Sequence, residues 1–333
     1  MKLVELKQDG QTATIVGDGF KVVFDKASGT ISRLERDGVN LLAADGGPRL
    51  HLWRTPHRND DMWAFDGWSK YGLDKLKTTV TAFQAEQTAP ATVRVTATLQ
   101  LEGKQGFAAT QAVACTVFGD GSIAVDNAVR FAGPKIALAR LGVRLLLDKQ
   151  LDHFDFFGRG PMENYADRKR GADVGLYGVE VNRQYEYEKT MERGNHEDVR
   201  WAALTGAGLP GLFAQADGAL LQAAALPHAD EQMLPVEYKI DLPPSTATVV
   251  ILAAKTLGVG SASCGPQPAD SCRVMSEPAA FSYILRLLPK GTKPSAELAR
   301  MRLPARPPLE MQKPKPDQAK PATPAKEFKG ANE

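Results

Sequence analysis

The sequence predicts an all-β chain, and three observations carry that expectation. Val93, Val95, Ala97, Leu99 and Leu101 are apolar at every second position with mostly polar residues between, the period of a half-buried strand. Turn signals recur between such runs, at Asp25-Lys-Ala-Ser-Gly29, Asp37-Gly38 and Gly119-Asp-Gly121. No stretch sustains a 3.6-residue apolar period, so helices are expected to be few and short. At 333 residues the chain can bury the core of one large β domain or two smaller ones.

In chain order, strands are expected at 20–24 and 31–35, then at 93–101. Residues 107–118 and 122–131 read as a hairpin, and 138–147 as a further apolar strand. That strand leads into Phe156-Phe-Gly-Arg-Gly-Pro-Met-Glu-Asn-Tyr-Ala-Asp-Arg168. Gly158, Gly160 and Pro161 break a ladder, so this central stretch is expected to be a loop and not a strand. Residues 185–200 read as polar and extended or looped, ending in a strand with a charged start at 198–204. Strands follow at 211–215, 219–225, 236–242, 247–252 and 281–288. Between the last two lies Leu257-Gly-Val-Gly-Ser-Ala-Ser-Cys-Gly-Pro266. No helix signal follows it and no Gly-Lys-Ser/Thr is present, which disfavours phosphate binding. Nine prolines among the last 45 residues, with Lys, Ala and Gln, predict a folded domain over 1–288 and a disordered tail over 289–333.

Composition excludes several functions. Hydrophobic residues make up 43% and charged residues 24%, as in ordinary soluble proteins. The net charge is +2, and the last 45 residues hold ten of the 41 Lys/Arg and five of the 39 Asp/Glu. The remaining 31 basic and 34 acidic residues make the body slightly acidic, against a nucleic-acid partner. Cys115, Cys264 and Cys272 are too few and too scattered for a disulfide scaffold, and no Cys/His spacing suggests zinc. Cys115 sits in an apolar run and reads as a small core residue. Met1-Lys-Leu-Val-Glu-Leu-Lys7 carries charges where a signal peptide needs an apolar stretch, and no run of 18 apolar residues occurs. No membrane partner and a cytoplasmic location are therefore expected.

Two stretches crowd chemistry into few positions. The central one places Glu163, Asn164, Tyr165, Asp167 and Arg168 within six residues. It reads either as a turn whose Glu and Arg pair internally or as a functional loop. Residues 51–73 hold three of the four tryptophans, Trp53, Trp63 and Trp68, near Arg and Asp. That mixture suits a sugar platform, a protein interface, or a long crossing loop pinned by its own aromatics.

Four motifs then occur in order: Trp53-Arg-Thr-Pro-His-Arg-Asn-Asp60, Gly158-Arg-Gly-Pro-Met-Glu-Asn-Tyr-Ala-Asp-Arg168, Asp198-Val-Arg-Trp201 and Gly258-Val-Gly-Ser-Ala-Ser-Cys-Gly-Pro266. Together they make the chain resemble the C-terminal domain of β-galactosidases of glycoside hydrolase family 2, which in some bacterial enzymes is a separate small subunit. The resemblance covers roughly residues 10 to 288. Its most specific part is Gly-x-Gly-Pro-x-Glu-Asn-Tyr-x-Asp-Arg, with eight fixed positions in eleven.

The resemblance implies a large antiparallel β-sandwich similar to galactose mutarotase. It also implies that catalysis lies elsewhere. Retaining hydrolysis needs two carboxyl groups about 5 Å apart, and in the family these sit in a TIM barrel that nothing here resembles. The implied role is a non-catalytic domain that packs on the catalytic chain and shapes the rim where terminal β-D-galactosides are hydrolysed. No cofactor is expected in this chain, Mg or Na ions of the complete enzyme being bound elsewhere. Candidates for the substrate rim or domain interface are Trp53, Arg54, His57, Arg58, Asn59 and Asp60, then Arg159, Glu163, Asn164, Tyr165, Asp167 and Arg168, and finally Arg200 and Trp201.

Arg54 and Asp60 are expected on an outward face, because charges are not buried without paired partners. Glu163 and Arg168 are expected to tie their turn, and Tyr165 to bury its ring while its hydroxyl finds a partner. Two departures weigh against direct sugar contact from the Gly/Ser loop. Ala262 stands where the family often has an acidic or amide residue, and residues 249–252 are wholly aliphatic where some members place a tryptophan. Two other functions remain open. A mutarotase-like aldose epimerase would need a His acid and a carboxylate base, for which His196 beside Glu197 is the least poor pair, though a solvated loop fits it better. A carbohydrate-binding module would use Trp53, Trp63 and Trp68.

Overall fold

A computed structural model describes residues 2–57, 60, 65–184, 186–260 and 267–309. The chain opens as an antiparallel meander of β1 (Glu5–Gln8), β2 (Thr12–Gly17), β3 (Phe20–Asp25), β4 (Thr30–Arg36) and β5 (Val39–Asn40). Phe20, Val22 and Phe24 of β3 are buried and the residues between them are less so, the period of two expected for a one-sided strand. After β6 (Arg49–His51) and a short helix α1 (Phe65–Tyr71) come the long strands β7 (Lys77–Ala89), β8 (Thr92–Glu102), β9 (Ala108–Phe118) and β10 (Ser122–Ala132). Then follow β11 (Ala137–Leu138), β12 (Arg140–Leu147), β13 (His153–Gly160), β14 (Asp173–Glu180), β15 (His196–Val199), β16 (Trp201–Thr205), β17 (Gly211–Ala216) and β18 (Leu221–Leu226). A single helical turn α2 (Asp230–Met233), β19 (Thr248–Thr256), β20 (Val274–Met275), β21 (Ala279–Leu288) and a short helix α3 (Ala296–Arg300) complete the described elements.

A nine-stranded antiparallel sheet runs in the order β14-β13-β16-β17-β21-β10-β9-β8-β7. A second sheet runs β15-β18-β19-β12-β6. Leu145, Val250, Leu252 and Ala225 of the second share one buried cluster with Val95, Val125, Leu285 and Leu287 of the first, which makes the body an all-β sandwich. Phe281, Tyr283, Leu285 and Leu287 of β21 face this core. Ile284 and Leu288 join separate clusters on the opposite face.

Several expectations change. Residues 153–160 are strand, with Gly158 and Gly160 inside the ladder and not in a loop. Close neighbours explain those glycines: a Cβ at Gly158 would lie 2.8 Å from Val199, and one at Gly160 2.7 Å from the Tyr177 ring. Residues 236–242 form no strand; Lys239–Asp241 is a 3₁₀ turn on which Ile240 is 87% exposed. The thirteen-residue β7 was not expected, because as a mostly exposed edge strand it has no apolar alternation to read. The 51–73 stretch is irregular at its start but contains α1.

The tail boundary also changes. The chain does not leave the body at Pro289. Leu298 and Ala299 pack on Trp201, Phe213 and Leu288, and Leu303 packs on Phe118, Ala124 and Ile284. Arg306 then bonds Asp126 and Asp217. These apolar and paired contacts offset the ordering entropy that composition alone argued could not be met. Residues 310–333 lie outside the described residues. Truncation after Leu288 is expected to lower the melting temperature by more than about 4 °C, on the order of 2 kcal/mol for so large a domain. An unchanged thermal melt would show that residues 289–309 merely rest on the surface.

Candidate functional site

Arg54 brings three of the four motifs together. It follows β6 and is fully buried. Its Nε and Nη2 donate to the two carboxylate oxygens of Asp60, each at 2.9 Å. Its Nη1 donates to the Leu257 carbonyl at 2.8 Å, and Nη2 also to the Gly258 carbonyl at 3.1 Å. The guanidinium lies 5.9 Å from the Trp68 ring and 5.8 Å from the Tyr165 ring. One side chain thus ties its own loop, the loop after β13 and the loop after β19 into a single surface.

The loop after β13 begins at a cis Gly160–Pro161 bond. Buried Asn164 organises it. Its Nδ2 donates to the Arg159 and Met162 carbonyls, and its Oδ1 accepts from the Glu197 amide at 2.8 Å. Asn195 closes the exchange, donating to the Asn164 carbonyl while accepting the Asn164 amide. Glu163 accepts from the Tyr187 hydroxyl at 2.5 Å and the Gly194 amide at 2.7 Å, with Arg168 at 3.5 Å. Asp167 accepts the Val259 and Gly260 amides at 3.2 and 2.8 Å. Glycine at 258 leaves room for this, because a Cβ would lie 2.4 Å from the Asp167 carboxylate and displace it. Tyr165 buries its ring as expected, with the Arg168 guanidinium 5.4 Å from it. Its hydroxyl, however, has no hydrogen-bond partner among the described residues.

A second buried layer supports this surface. Arg140 donates to Glu192 at 2.6 Å, both residues being about 1% exposed or less. His51 and the Thr55 amide converge on Asp230, at 2.9 and 2.5 Å. Burial pushes the Glu192 carboxyl up to about 7 despite the adjacent Arg140. Burial likewise pulls His51 down to about 4, against the opposing pull of Asp230. None of Arg140, Glu192, Asp230 or Tyr187 was singled out from sequence. Their pairings span up to 179 residues, and no local pattern announces them.

The expected placements divide. Arg54 and Asp60 are not on an outward face, since each is buried and is the other's partner. Glu163, Asn164, Tyr165, Asp167 and Arg168 do converge with them, and Asp167 and Arg168 reach the exterior. His57 lies half-buried beside Tyr187, ring centroids 5.9 Å apart. Burial holds the His57 imidazole below its usual pKa. Arg159 sits one strand back, paired with Asp198. Arg200 and Trp201 do not join the surface. Arg200 lies over Phe157, and Trp201 stacks on Phe213 at 5.2 Å under residues 298 and 299. Arg58, Asn59, Trp63, Ala262 and Cys264 lie outside the described residues.

Among the described residues, neither alternative chemistry finds its geometry. His196 is not on a solvated loop. It is 2% exposed, 4.0 Å from the Phe156 ring, with Nδ1 bonded to the Arg159 carbonyl. Glu197 follows His196 in β15 at a register irregularity where Asp198 has φ of 54°, and its carboxylate lies 3.7 Å from the Lys169 ammonium. Trp53 and Trp68 are 3% and 1% exposed and offer no platform. Among the described residues, no group of three or more His, Cys, Asp or Glu is placed to hold a metal ion. None of their helices is long and apolar enough to cross a membrane.

Comparison with known proteins places these motifs. The family described as β-galactosidase small chain matches residues 16–286. The β-galactosidase of Actinobacillus pleuropneumoniae is 26% identical over 273 residues, covering 81% of this chain and 26% of that protein. The β-galactosidase of Priestia megaterium is 28% identical over 266 residues, covering 76% and 24%. The chain thus spans about a quarter of the length of the curated relatives it matches. A solved galactose 1-epimerase from Lactobacillus acidophilus is 10% identical, with a TM-score of 0.42 over 86% of this chain and 98% of that one.

Two outcomes are expected of the buried groups. Arg54→Ala or Asp60→Ala should each cost about 3–5 kcal/mol, because each leaves an unpaired buried charge. Denaturant midpoints check this, and a wild-type midpoint would show that the pair does not hold the loops. The pH profile is the second. Glu192, raised to about 7 when folded, contributes stability as pH falls from 7 towards 4.5. His196, lowered to about 4 by burial, loses stability as pH falls from 6.5 towards 4. The two contributions oppose each other in one window. Glu192→Gln should therefore steepen the drop in melting temperature between pH 7 and 5, and His196→Gln should lessen it. Parallel slopes for both variants and wild type would contradict the assignment.

Proposed function

Because this chain belongs to the β-galactosidase small-chain family, we propose that it is the non-catalytic C-terminal unit of a β-galactosidase, whether as a subunit or as a domain. It packs on the catalytic chain, which carries the barrel and its pair of carboxylates. At the shared rim it helps to shape the site for a terminal β-D-galactoside. The complete enzyme works in the cytoplasm, and any Mg or Na ion it needs is bound outside this unit.

One observation carries the reading: three of the four polar motifs end on one surface whose backbone is fixed from beneath. Arg54 and Asp60 lie below, while Asp167, Arg168, His57 and Glu163 lie nearer the exterior. Side chains held this way meet a partner or a sugar without first being ordered, which lowers the entropic cost of association. Arg168 is the best placed, with 42% of its side chain exposed and its base held by Tyr165 and Glu163. A guanidinium there suits a carboxylate of the catalytic chain.

The test is activity by reconstitution. The purified chain should turn over no nitrophenyl β-galactoside, and activity should appear on adding the matching catalytic chain. Robust turnover by the isolated chain, free of host enzyme, would sink the reading. Arg168→Ala should melt within about 1 kcal/mol of wild type, as exposed changes usually do. It should still weaken reconstitution or raise KM by roughly tenfold, about 1.4 kcal/mol.

A further inference from the structure

The outer face of the nine-stranded sheet, away from the motif surface, is covered by residues 298–308 of the same chain. The family match ends at residue 286. Beyond it the chain turns back and crosses β16, β17 and β21 as helix α3, then β10, β9 and β8 as an extended strap. This is not strand addition, because the strap lies over a sheet face and not along an edge. The sheet reads it with side chains. Arg286 donates to the Met301 carbonyl at 2.7 Å. Arg94 donates to the Pro307 and Pro308 carbonyls at 2.8 and 3.3 Å. Prolines suit this role, since they offer carbonyls, need no partner for an N–H, and are stiff before they bind.

Arg306 supplies the reciprocal contact. Its Nε and Nη2 donate to both Asp126 oxygens, at 2.8 and 2.7 Å, and Nη2 also donates to Asp217 at 2.5 Å. Ser282 donates to Asp126 at 2.6 Å, which orients that carboxylate. Leu303 fills the apolar floor made by Phe118, Ala124 and Ile284. The link to the body is slight by comparison. Residues 289–291 are exposed, and Gly291 has φ of 76°, a conformation open to glycine.

We propose that this face is a binding site for an extended peptide of the pattern Leu-Pro-x-Arg-Pro-Pro, occupied in cis by the chain's own residues 303–308. Arg94 recognises the proline carbonyls, two aspartates recognise the arginine, and an apolar floor takes the leucine. A merely structural end of the chain would be inseparable from the fold. A ligand site exchanges its occupant.

The full chain with a protease site inserted after Gly291 distinguishes these. After cleavage, the strap is held only by its own contacts. A fluorescein-labelled peptide of residues 295–309 is then added and followed by anisotropy, with unlabelled peptide as competitor. Saturable, competable binding is expected, at least tenfold weaker for the peptide carrying Arg306→Ala. Absence of saturable binding, or equal affinity of the two peptides, overturns the proposal. If the cleaved chain loses its near-ultraviolet dichroism once the strap departs, the readout becomes its recovery. Recovery with the wild-type peptide but not the variant supports the site, and recovery with neither or with both overturns it.

Discussion

A guanidinium cut off from water must find protein acceptors for its donors, and Arg54 finds them on two segments while the Tyr165 ring of a third lies against it. That requirement is severe. Removing a charge from water costs several kcal/mol, and only a partner of good geometry offsets it. Asp60 supplies the bidentate half from six residues away, while the Leu257 and Gly258 carbonyls supply the rest from across the fold. The cost has a structural consequence. The loop between β6 and α1 and the loop after β19 cannot drift apart without stranding a charge, and the loop after β13 lays the Tyr165 ring on the same guanidinium. The pair therefore fixes geometry more than it adds stability, and geometry is what a surface made of loops lacks on its own.

The neighbouring contacts extend the same logic in smaller steps. The Asn164 side-chain amide bonds backbone groups of β13, of its own loop and of β15. Asp167 holds the amides of Val259 and Gly260, and glycine at 258 leaves room for its carboxylate. Asp167 and Arg168 reach the exterior from this network, while Asn164 stays buried within it. This is why the central motif is both scaffold and surface. Choosing between a structural and a functional reading of Glu163 or Arg168 separates two aspects of one arrangement.

Sequence legibility follows from how local each signal is. The alternation in 93–101 and the hairpin at Gly119-Asp-Gly121 are local, and β8, β9 and β10 stand where they predict. Strand β13 was hidden because its glycines answer to Val199 and Tyr177, which only the folded sheet brings close. The burial of 191–197 was hidden for a related reason. Polar residues signal solvent unless their partners are known, and Glu192 has its partner 52 residues away in Arg140. The motifs of the candidate surface were legible as a set, yet their depth was not. Charge type predicts that Arg54 needs a counterion without saying whether that counterion is a partner chain or Asp60.

The same ambiguity explains the strap, where composition pointed to disorder and the structure shows order over 289–309. Low apolar content argues against a segment building its own core, but not against its borrowing one. The outer face of the sheet offers Trp201, Phe213, Phe118 and Ile284, and Leu298, Ala299 and Leu303 of the strap pack on them. Prolines reduce the entropy lost on ordering, and the paired charges of Arg306, Asp126 and Asp217 set the register. The sandwich thus meets its surroundings by two different means. Its motif loops are held rigid by a buried charge and remain outward, whereas its outer sheet face is completed by a short peptide whose chemistry the sheet itself specifies.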